Sequence, residues 1–400
     1  MNPWPVARAA LRRQWRPALA MVLLVALATA LGTGLGMMER SVRVAAAQAA
    51  DAFDLVVGAP GSAAQLVLTS VYLQPDTVPL MDGAQLSKVM ADPDVLWASP
   101  IGFGDQFRGM PIVGVAPDFI TQGGQRAVIE GRSFAEEGEA VVGSAARLAL
   151  GDTIMPAHGL IETPEPGHVH SESPYTVVGR LPPTGTAWDR AILVPIESVW
   201  EIHGLGNGHP QGVERVGPPW EQAAGVPAVV VKPRTLAGAY QLRARYRAAA
   251  STAVFPGEVL ASLFRTLGDV RALVSAMALA CAVLVVAAVF LAFGALVSAR
   301  ARDHAVLRAI GASPGFVLGA LWLELGVVLV AGVAGGVLLG WVGAQLAAGP
   351  AGYASGLALH PVLGRAELNL ALAVLVGGLI AAGLPAVFAS RASPGEALKR

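Results

Sequence analysis

Residues 299–314 carry the sequence Ala-Arg-Ala-Arg-Asp-His-Ala-Val-Leu-Arg-Ala-Ile-Gly-Ala-Ser-Pro, a polar stretch between two long apolar runs. Its apolar residues recur at helical spacing between positive charges: Val306, Leu307 and Ile310 among Arg300, Arg302 and Arg308. Gly311 and Pro314 follow, and a glycine and then a proline are typical of a helix C-terminus. The stretch therefore predicts a short amphipathic helix that bridges two membrane helices.

Two roles fit such a bridge. An arginine-rich loop can simply fix the orientation of the chain, because cytoplasmic loops of membrane proteins carry an excess of Lys and Arg. Alternatively, the helix docks on a cytoplasmic partner. The order of the residues, which goes beyond composition, favours docking.

The segment 307–313, Leu-Arg-Ala-Ile-Gly-Ala-Ser, resembles the cytoplasmic loop of the FtsX-like (MacB/LolC-type) ABC transporter permeases. In that family an Arg-rich turn leads into Leu-Arg-Ala-(Leu/Ile)-Gly-Ala-Ser. The tail 391–398 also resembles the family's C-terminal Ser-Pro-x-Glu-Ala-Leu ending. The resemblance implies that the loop couples the chain to a separate ATPase through these residues: Arg300, Arg302, Leu307, Arg308, Ile310 and Gly311.

Composition bounds the fold class. Of the 400 residues, 54% are hydrophobic and only 14% charged, whereas soluble domains carry roughly a quarter charged residues. Four apolar stretches reach the roughly 20 residues that a helix needs to cross a bilayer: 17–38, 272–299, 316–348 and 368–390. We predict an α-helical membrane protein with four transmembrane helices and a large α+β extracytoplasmic domain, residues 39–266, inserted between helices 1 and 2.

Charge bias predicts the orientation. The N-terminal segment 1–16, the loop 300–315 and the tail 391–400 are basic, so all three, and thus both termini, are expected in the cytoplasm. The loop 349–367 then lies outside. A cleavable signal peptide is the alternative for the first stretch, but its apolar core would span only about 7–15 residues. The resemblance implies a multi-pass protein of the bacterial cytoplasmic (inner) membrane.

The domain 39–266 mixes short apolar runs with helical periodicity, which predicts the α+β class. The predicted strands are 53–57, 112–115, 175–178, 191–194 and 228–231. The predicted helices are 84–90, 236–250 and 257–266. The family resemblance adds a helix over 139–150 that ends in Leu-Gly-Asp-Thr, followed by strands at 175–181 and 189–199.

Spaced glycines predict close helix packing. Gly332, Gly336 and Gly340 recur every four residues on one face of the third span, where a neighbouring backbone can approach. Gly32 and Gly36 form a GxxxG pair in the first span, which fits helix packing or chance in a glycine-rich chain.

Glu324 is an acidic residue inside a predicted span. Charges in the membrane usually mark a transport pathway or an ion pair. Glu324 lies near the cytoplasmic end, where it could also reach the lipid headgroups or meet an arginine.

The chain lacks the motifs of several enzyme classes. It has no Gly-x-x-x-x-Gly-Lys-Ser/Thr phosphate loop, no nucleophile elbow and no His-Glu-x-x-His. We predict that it is not an enzyme and has no cofactor of its own, so ATP and Mg²⁺ belong to the partner ATPase. Its zero net charge gives no case for nucleic acid. The resemblance implies two ATPase copies, a second copy of the chain or a homologous permease, contact with lipids, and a candidate periplasmic adaptor or binding protein.

Histidines cluster in the outer domain, and two of them alternate. If the chain is extended there, alternate side chains point to one side, a spacing that suits two ligands of one Zn²⁺. The candidate metal ligands are His158, His168, His170, His203 and His209. The alternative is a solvated loop rich in Pro and Gly.

Three functions stay open. The first is the permease subunit of a type VII (MacB-like) ABC transporter, which by resemblance uses ATP hydrolysis on a partner to move its periplasmic domain, called mechanotransmission. The second is a zinc-associated permease that uses the histidine region. The third is a membrane scaffold or signalling protein that works without ATP.

Overall fold

The computed structural model describes residues 2–158, 173–210, 212–213, 215–248, 250–266 and 268–391. The chain forms two compact units. The helical unit contains Met1–Val42, Leu267–Ala351 and Leu359–Arg400. The sheet domain contains Arg43–Thr266 and Gly352–Ala358.

Helices in the described residues are numbered in chain order: α1 (Trp4–Arg13), α2 (Trp15–Asp51), α3 (Ala63–Ser70), α4 (Gly83–Met90), α5 (Pro117–Thr121), α6 (Ile196–Ile202), α7 (Leu236–Tyr246), α8 (Pro256–Thr266), α9 (Gly268–Ala299), α10 (Ala301–Ala309), α11 (Pro314–Ser355) and α12 (Arg365–Arg391). A short 3₁₀ turn covers Ala187–Arg190.

Three helices in the described part of the chain are long and apolar enough to cross a membrane: Trp15–Asp51, Ala282–Ala299 and Pro314–Ser355. The fourth predicted span coincides with α12, which has 27 residues. The number of transmembrane helices stays a prediction.

Both α2 and α11 continue beyond the predicted ends at 38 and 348. The extension of α2 includes the sequence Ala-Ala-Ala-Gln-Ala-Ala at 45–50, and alanine is the best helix former. Helix α11 runs through Pro350 to Ser355. Alanine propensity explains the extension of α2, whereas the extension of α11 over Gly-Pro-Ala-Gly at 349–352 runs against propensity.

The core of the helical unit is built from aliphatic and aromatic side chains at three- and four-residue spacing on α2, α9, α11 and α12. The spacing places them on one face of each helix. The buried members include Met21, Val25, Val289, Phe293, Val297, Leu321, Leu325, Leu329 and Val374.

The sheet domain is built on one mixed sheet. Its strands are β1 (Leu55–Gly58), β2 (Val95–Phe107), β3 (Met110–Val115), β4 (Glu130–Gly131), β5 (Glu139–Val142), β6 (Thr153–Ile154), β7 (Ala157–His158), β8 (Tyr175–Arg180), β9 (Ile192–Pro195), β10 (Ala228–Pro233) and β11 (Thr252–Val254). They are ordered β11-β1-β10-β2-β3-β9-β5-β8-β4, with β6 paired to β8 and β7 to β2. The pairs β3–β9 and β5–β8 are parallel. The predicted α+β class is confirmed.

The central strands are apolar because both faces of the sheet are covered. All four residues of β1 and of β9 are buried, as are five of the six in β10. Strand β2, with 13 residues, pairs along its length with β10, β3 and β7. It was not predicted, because Pro100, Gly102 and Asp105 interrupt its apolar pattern. Its pairing with β3 shifts register between Gly102 and Asp105.

The predicted helix over 139–150 is wrong. Residues 139–142 form β5, and the rest has no helix. The Arg180 guanidinium donates to the carbonyl oxygens of Ala146, at 3.1 Å, and Leu148. The amide of Ala145 donates to the Asp189 carbonyl at 2.7 Å. Since these backbone groups bond to neighbouring strands and loops, they are not available for helical bonds.

Candidate functional site

The polar stretch forms α10 and a tight turn after it. The Gly311 amide donates to the Arg308 carbonyl at 3.1 Å, and the Ala312 amide donates to the Leu307 carbonyl at 3.0 Å. These two bonds define the Schellman motif at a helix C-terminus. Gly311 has φ +100°, in the left-handed region that glycine adopts without steric cost. The helix therefore ends where the sequence predicts.

The next helix starts at Pro314, after the four-residue link 310–313. The Ser313 hydroxyl accepts a hydrogen bond from the Phe316 amide at 3.2 Å, and Pro314 is the first residue of α11. Serine before a helix and proline at its first position are both favoured there. The run Gly-Ala-Ser-Pro thus stops one helix, reverses the chain and starts the next, which fixes the direction of α10.

One line of α10 faces solvent. Arg302, Val306 and Ile310 lie four residues apart and are all exposed, Val306 by 49% and Ile310 by 77%. Leu307 and Arg308 are half-buried. Residues four apart on a helix are neighbours on its surface. Arg302, Val306 and Ile310 therefore form a mixed basic and aliphatic strip, called here the docking stripe.

Arg300 does not belong to this surface. Its side chain is 7% exposed, and Nη1 donates to Oε2 of Glu324 on α11 at 2.7 Å. Nη2 donates to Oε1 of Gln14, between α1 and α2, at 2.5 Å. Arg300 is thus buried within the helical unit of the single chain, and its predicted contact with an ATPase stays a prediction. Glu324 meets an arginine, as its place near the helix end allowed.

His304 lies beside this ion pair, one turn into α10. Burial lowers the pKa of His304, and the neighbouring Arg300 lowers it further. A neutral imidazole avoids adding a second positive charge next to the guanidinium. The base of α10 is therefore held by one buried charge pair, whereas the docking stripe is left to solvent.

A second ion pair, with a buried carboxylate and a half-buried arginine, joins α2 to α12. Arg40 Nη2 donates to Glu367 Oε2 at 2.8 Å and to the Val362 carbonyl at 2.7 Å. Glu367 also accepts from the Gly364 amide at 2.9 Å, and its side chain is 3% exposed. Along the helix, Arg40 is 26 residues from Gln14, about 39 Å at 1.5 Å per residue. Ion pairs thus fix both ends of the helical unit.

The glycine ladder of α11 packs against α2. A Cβ atom on Gly332 would lie 2.7 Å from Val25 Cβ, and one on Gly336 would lie 2.6 Å from the Ala26 carbonyl oxygen. A Cβ on Gly340 would lie 2.7 Å from the Ala30 carbonyl oxygen. No real Cβ approaches another atom so closely, so the two backbones meet along three successive turns.

The pair Gly32 and Gly36 lies against α12 instead. A Cβ on Gly32 would lie 2.7 Å from Leu370 Cδ2, and one on Gly36 would lie 3.0 Å from Glu367 Oε1. Helix α2 therefore uses two different small-residue faces, one for α11 and one for α12. The second face also leaves room for the buried carboxylate of Glu367.

The predicted metal ligands do not assemble in the described residues. His168 and His170 lie outside them, and His158 is in β7. His203 Nδ1 lies 2.7 Å from the Val199 carbonyl oxygen, and His209 Nε2 lies 3.8 Å from Glu197 Oε1. Among the described residues, no group of three or more His, Cys, Asp or Glu is placed to hold a metal ion. Zinc at the alternating histidines stays a prediction.

Acidic side chains around α6 form a cluster that the sequence did not predict. Glu197 is fully buried, and Oε1 accepts from the Gly217 amide at 2.7 Å and from Trp220 Nε1 at 2.6 Å. Burial raises the pKa of Glu197. Burial, together with Glu201 close by, raises the pKa of Glu137 to about 7. Protons on these carboxyl groups limit the charge inside the domain.

Family comparison supports the interpretation of the helical segment. Residues 275–394 match the model of the FtsX-like permease C-terminal domain. This segment is similar to the C-terminal domain of FtsX-like permeases. The predicted family resemblance is confirmed, and the match contains α10, the turn at Gly311 and α11.

Other comparisons add little for the sheet domain. No curated protein matches the chain. Among solved structures, the chain is similar to the extracellular domain of the noncanonic ABC-type transporter YknZ from Gram-positive bacteria. The alignment covers 50% of this chain and 98% of the YknZ domain. The identity is 11% and the TM-score is 0.30, so we draw nothing from it for this chain.

Proposed function

We propose that this FtsX-like permease is the membrane subunit of a MacB-type ABC transporter in the bacterial cytoplasmic membrane. Two copies of a separate ATPase, which carry the ATP and Mg²⁺, bind two copies of this chain. The docking stripe of α10 receives the ATPase motion, and the helices carry it to the sheet domain in the periplasm. The chain itself performs no catalysis.

The observation that carries this proposal is the docking stripe within the family-matched segment. Aliphatic side chains as exposed as Val306 and Ile310 on a short helix are suited to a protein contact. Arg302 beside them can pair with an acidic group on the partner. The buried anchor at Arg300 and the turn at Gly311 hold the helix in one orientation, as a force-bearing contact requires.

Mechanotransmission rather than a polar conduit is supported by the charges of the helical unit. Glu324 is neutralised by the buried Arg300 and Glu367 by the half-buried Arg40, instead of lining an open path. A hydrophilic conduit needs several such groups free. In addition, the division between the two units falls inside α2, after Val42, and inside α11, after Ala351, so two helices extend into both units.

Purification of the chain with its ATPase tests the docking assignment. We expect the wild type in mild detergent to retain an ATP-hydrolysing subunit. Ile310→Asp should lower the bound ATPase and the associated hydrolysis at least tenfold, because a carboxylate replaces an aliphatic contact. Val362→Asp is the matched control, since Val362 is 66% exposed but follows α11 at its other end.

Two results would contradict the proposal. If the wild type retains no ATPase, the membrane-scaffold function is favoured. If Ile310→Asp retains as much ATPase as Val362→Asp, the partner binds elsewhere.

A further inference from the structure

The sheet domain contains a cavity of about 610 Å³. Its walls come from the segment 69–80, which begins in the last turn of α3, from the β2–β3 hairpin, and from the residues at the end of α11. Sites for small organic ligands typically have volumes of about 300–1,000 Å³. The cavity is therefore large enough for one small organic molecule.

Apolar side chains make one part of the wall. Leu73, Leu80, Phe103 and Ile112 line it, and Leu80 is 58% exposed. A large aliphatic side chain that remains open to solvent at a cavity mouth favours a ligand with an apolar body, because covering it removes apolar area from water.

Among the described residues, the charged groups of the wall are Asp76, Asp105 and Arg190. Asp105 is buried, so Asp76 is the carboxylate open to a ligand. Asp76 is exposed, and in the described part of the chain its oxygens accept from two neutral donors, Gln65 Nε2 and the Thr77 amide, both at 2.8 Å.

The positive charge is already engaged. Arg190 stacks over the Tyr353 ring at 4.0 Å and donates to the Tyr353 carbonyl. Its Nη2 also donates to the Gly109 carbonyl at 3.4 Å. A guanidinium held by a ring face and two carbonyl oxygens is poorly placed to recognise an anion. The cavity therefore favours a cation over an anion.

The cavity also touches the end of α11. Ser355 and Gly356 are part of its wall. Gly356 has φ +71°, and a Cβ on it would lie 2.9 Å from Ala187 Cβ. The Ala358 amide donates to the Gly185 carbonyl at 3.1 Å. The end of α11 is thus fixed to the same turn that carries Arg190.

We propose that this cavity binds an amphipathic organic cation. The apolar body would lie against Leu73, Leu80 and Phe103, and the positive group would lie near Asp76. The bound molecule would contact Ser355 and Gly356, so its presence would be sensed where α11 ends. Its role as cargo rests on the proposed transport function, whereas binding itself requires neither nucleotide nor ATPase.

Tetraphenylphosphonium and tetraphenylborate test this proposal, because they share one shape and carry opposite charges. Binding is measured by equilibrium dialysis on the full chain in lipid nanodiscs, with empty nanodiscs subtracted. We expect one phosphonium ion per chain and much weaker borate binding. Ala354→Trp, which fills the cavity, should weaken phosphonium binding at least tenfold, and Asp76→Asn about fivefold.

Matched controls keep the test specific. Ala135→Trp adds the same bulk, and Glu221→Gln removes one charge, at exposed positions away from the cavity. Both should bind like the wild type. The proposal is overturned by no binding above empty nanodiscs, by equal borate binding, or by unchanged affinity in Ala354→Trp. Because no ATPase is present, any of these results would leave the ATPase-docking assignment standing.

Discussion

Arg300 Nη1 donates to Glu324 Oε2 at 2.7 Å, with both side chains less than a tenth exposed. This pair joins the start of α10 to α11, and Gln14 extends it to the start of α2. Breaking one partner of a buried ion pair leaves the other charge without compensation, which typically costs about 3–5 kcal/mol. The pair therefore links the stability of the helical unit to the position of the docking helix.

Glu324→Gln should lower the free energy of unfolding by about 3 kcal/mol or more, because Arg300 stays buried and charged. Glu258→Gln is the control, since the Arg243–Glu258 distance of 2.8 Å is close to that of Arg300–Glu324 but Glu258 is 56% exposed, and exposed pairs contribute less than about 1 kcal/mol. Denaturant unfolding in mild detergent measures both. Equal losses in the two variants would show that the Arg300–Glu324 pair is not the anchor described here.

Gly336→Ala should destabilise the chain by about 1–3 kcal/mol, because the added methyl group would lie 2.6 Å from the Ala26 carbonyl oxygen and from Thr29 Cβ. Gly343→Ala on the same helix is the matched control, since no atom in the described part of the chain lies within 4 Å of its Cβ position. There, alanine should stabilise the helix by up to about 1 kcal/mol. The thermal unfolding midpoint should therefore fall in Gly336→Ala and rise in Gly343→Ala. A change in the same direction in both variants would argue against close contact of α2 and α11.

Gly311→Val should reduce ATPase co-purification without removing any side-chain contact. No atom of the described residues lies within 4 Å of a Cβ at Gly311, so the expected effect comes from its φ of +100°, which a β-branched residue adopts with strain. The turn would relax and α10 would change direction. Gly315→Val, in the first turn of α11 and also open around its Cβ, should retain the ATPase. Full retention by Gly311→Val would mean that the direction of α10 does not matter for docking.

Glu137 predicts a pH dependence of stability. Burial and Glu201 raise the pKa of Glu137 from 4.5 to about 7 in the folded chain. Between these values the folded chain holds a proton that the unfolded chain has released, so the free energy of unfolding should fall as pH rises from about 4.5 to 7. Glu137→Gln should flatten this slope, and Glu136→Gln, at the exposed neighbour, should not. An unchanged slope in Glu137→Gln would assign the titration to another group.

Local patterns in the sequence predicted the elements that depend on local chemistry. The turn at Gly311 follows from a left-handed backbone conformation that favours glycine. Strands β9 and β10 follow from short runs of β-branched residues. Strand β2 was missed because pairing with three strands outweighs its proline and glycines. The Arg180 contacts that exclude a helix at 143–150 join residues 32 and 34 positions apart in the sequence, so no local pattern predicts them.

In the candidate site, too, the local sequence predicts some features, whereas others depend on contacts between distant residues. Exposure of Val306 and Ile310 depends on which face of α10 packs inward, and the sequence names the residues without choosing the face. Arg300 was assigned to the surface because it belongs to the charged run, but Glu324, 24 residues away, holds it inside. The Arg40–Glu367 pair joins residues 327 apart. Ion pairs between such distant residues can be predicted only when the packing of the helices is known.

The central claim is that ATPase motion received at α10 moves the sheet domain. Leu236 is 78% exposed, and Cys281, the only cysteine, can be replaced by serine, so Leu236→Cys accepts one spin label per chain. Pulsed electron–electron double resonance on the purified complex with its ATPase then measures the label–label distance between two copies of the chain. We predict that ATP with vanadate shifts this distance, and that Ile310→Asp abolishes the shift. An unchanged distance in the complex that carries its ATPase would contradict mechanotransmission.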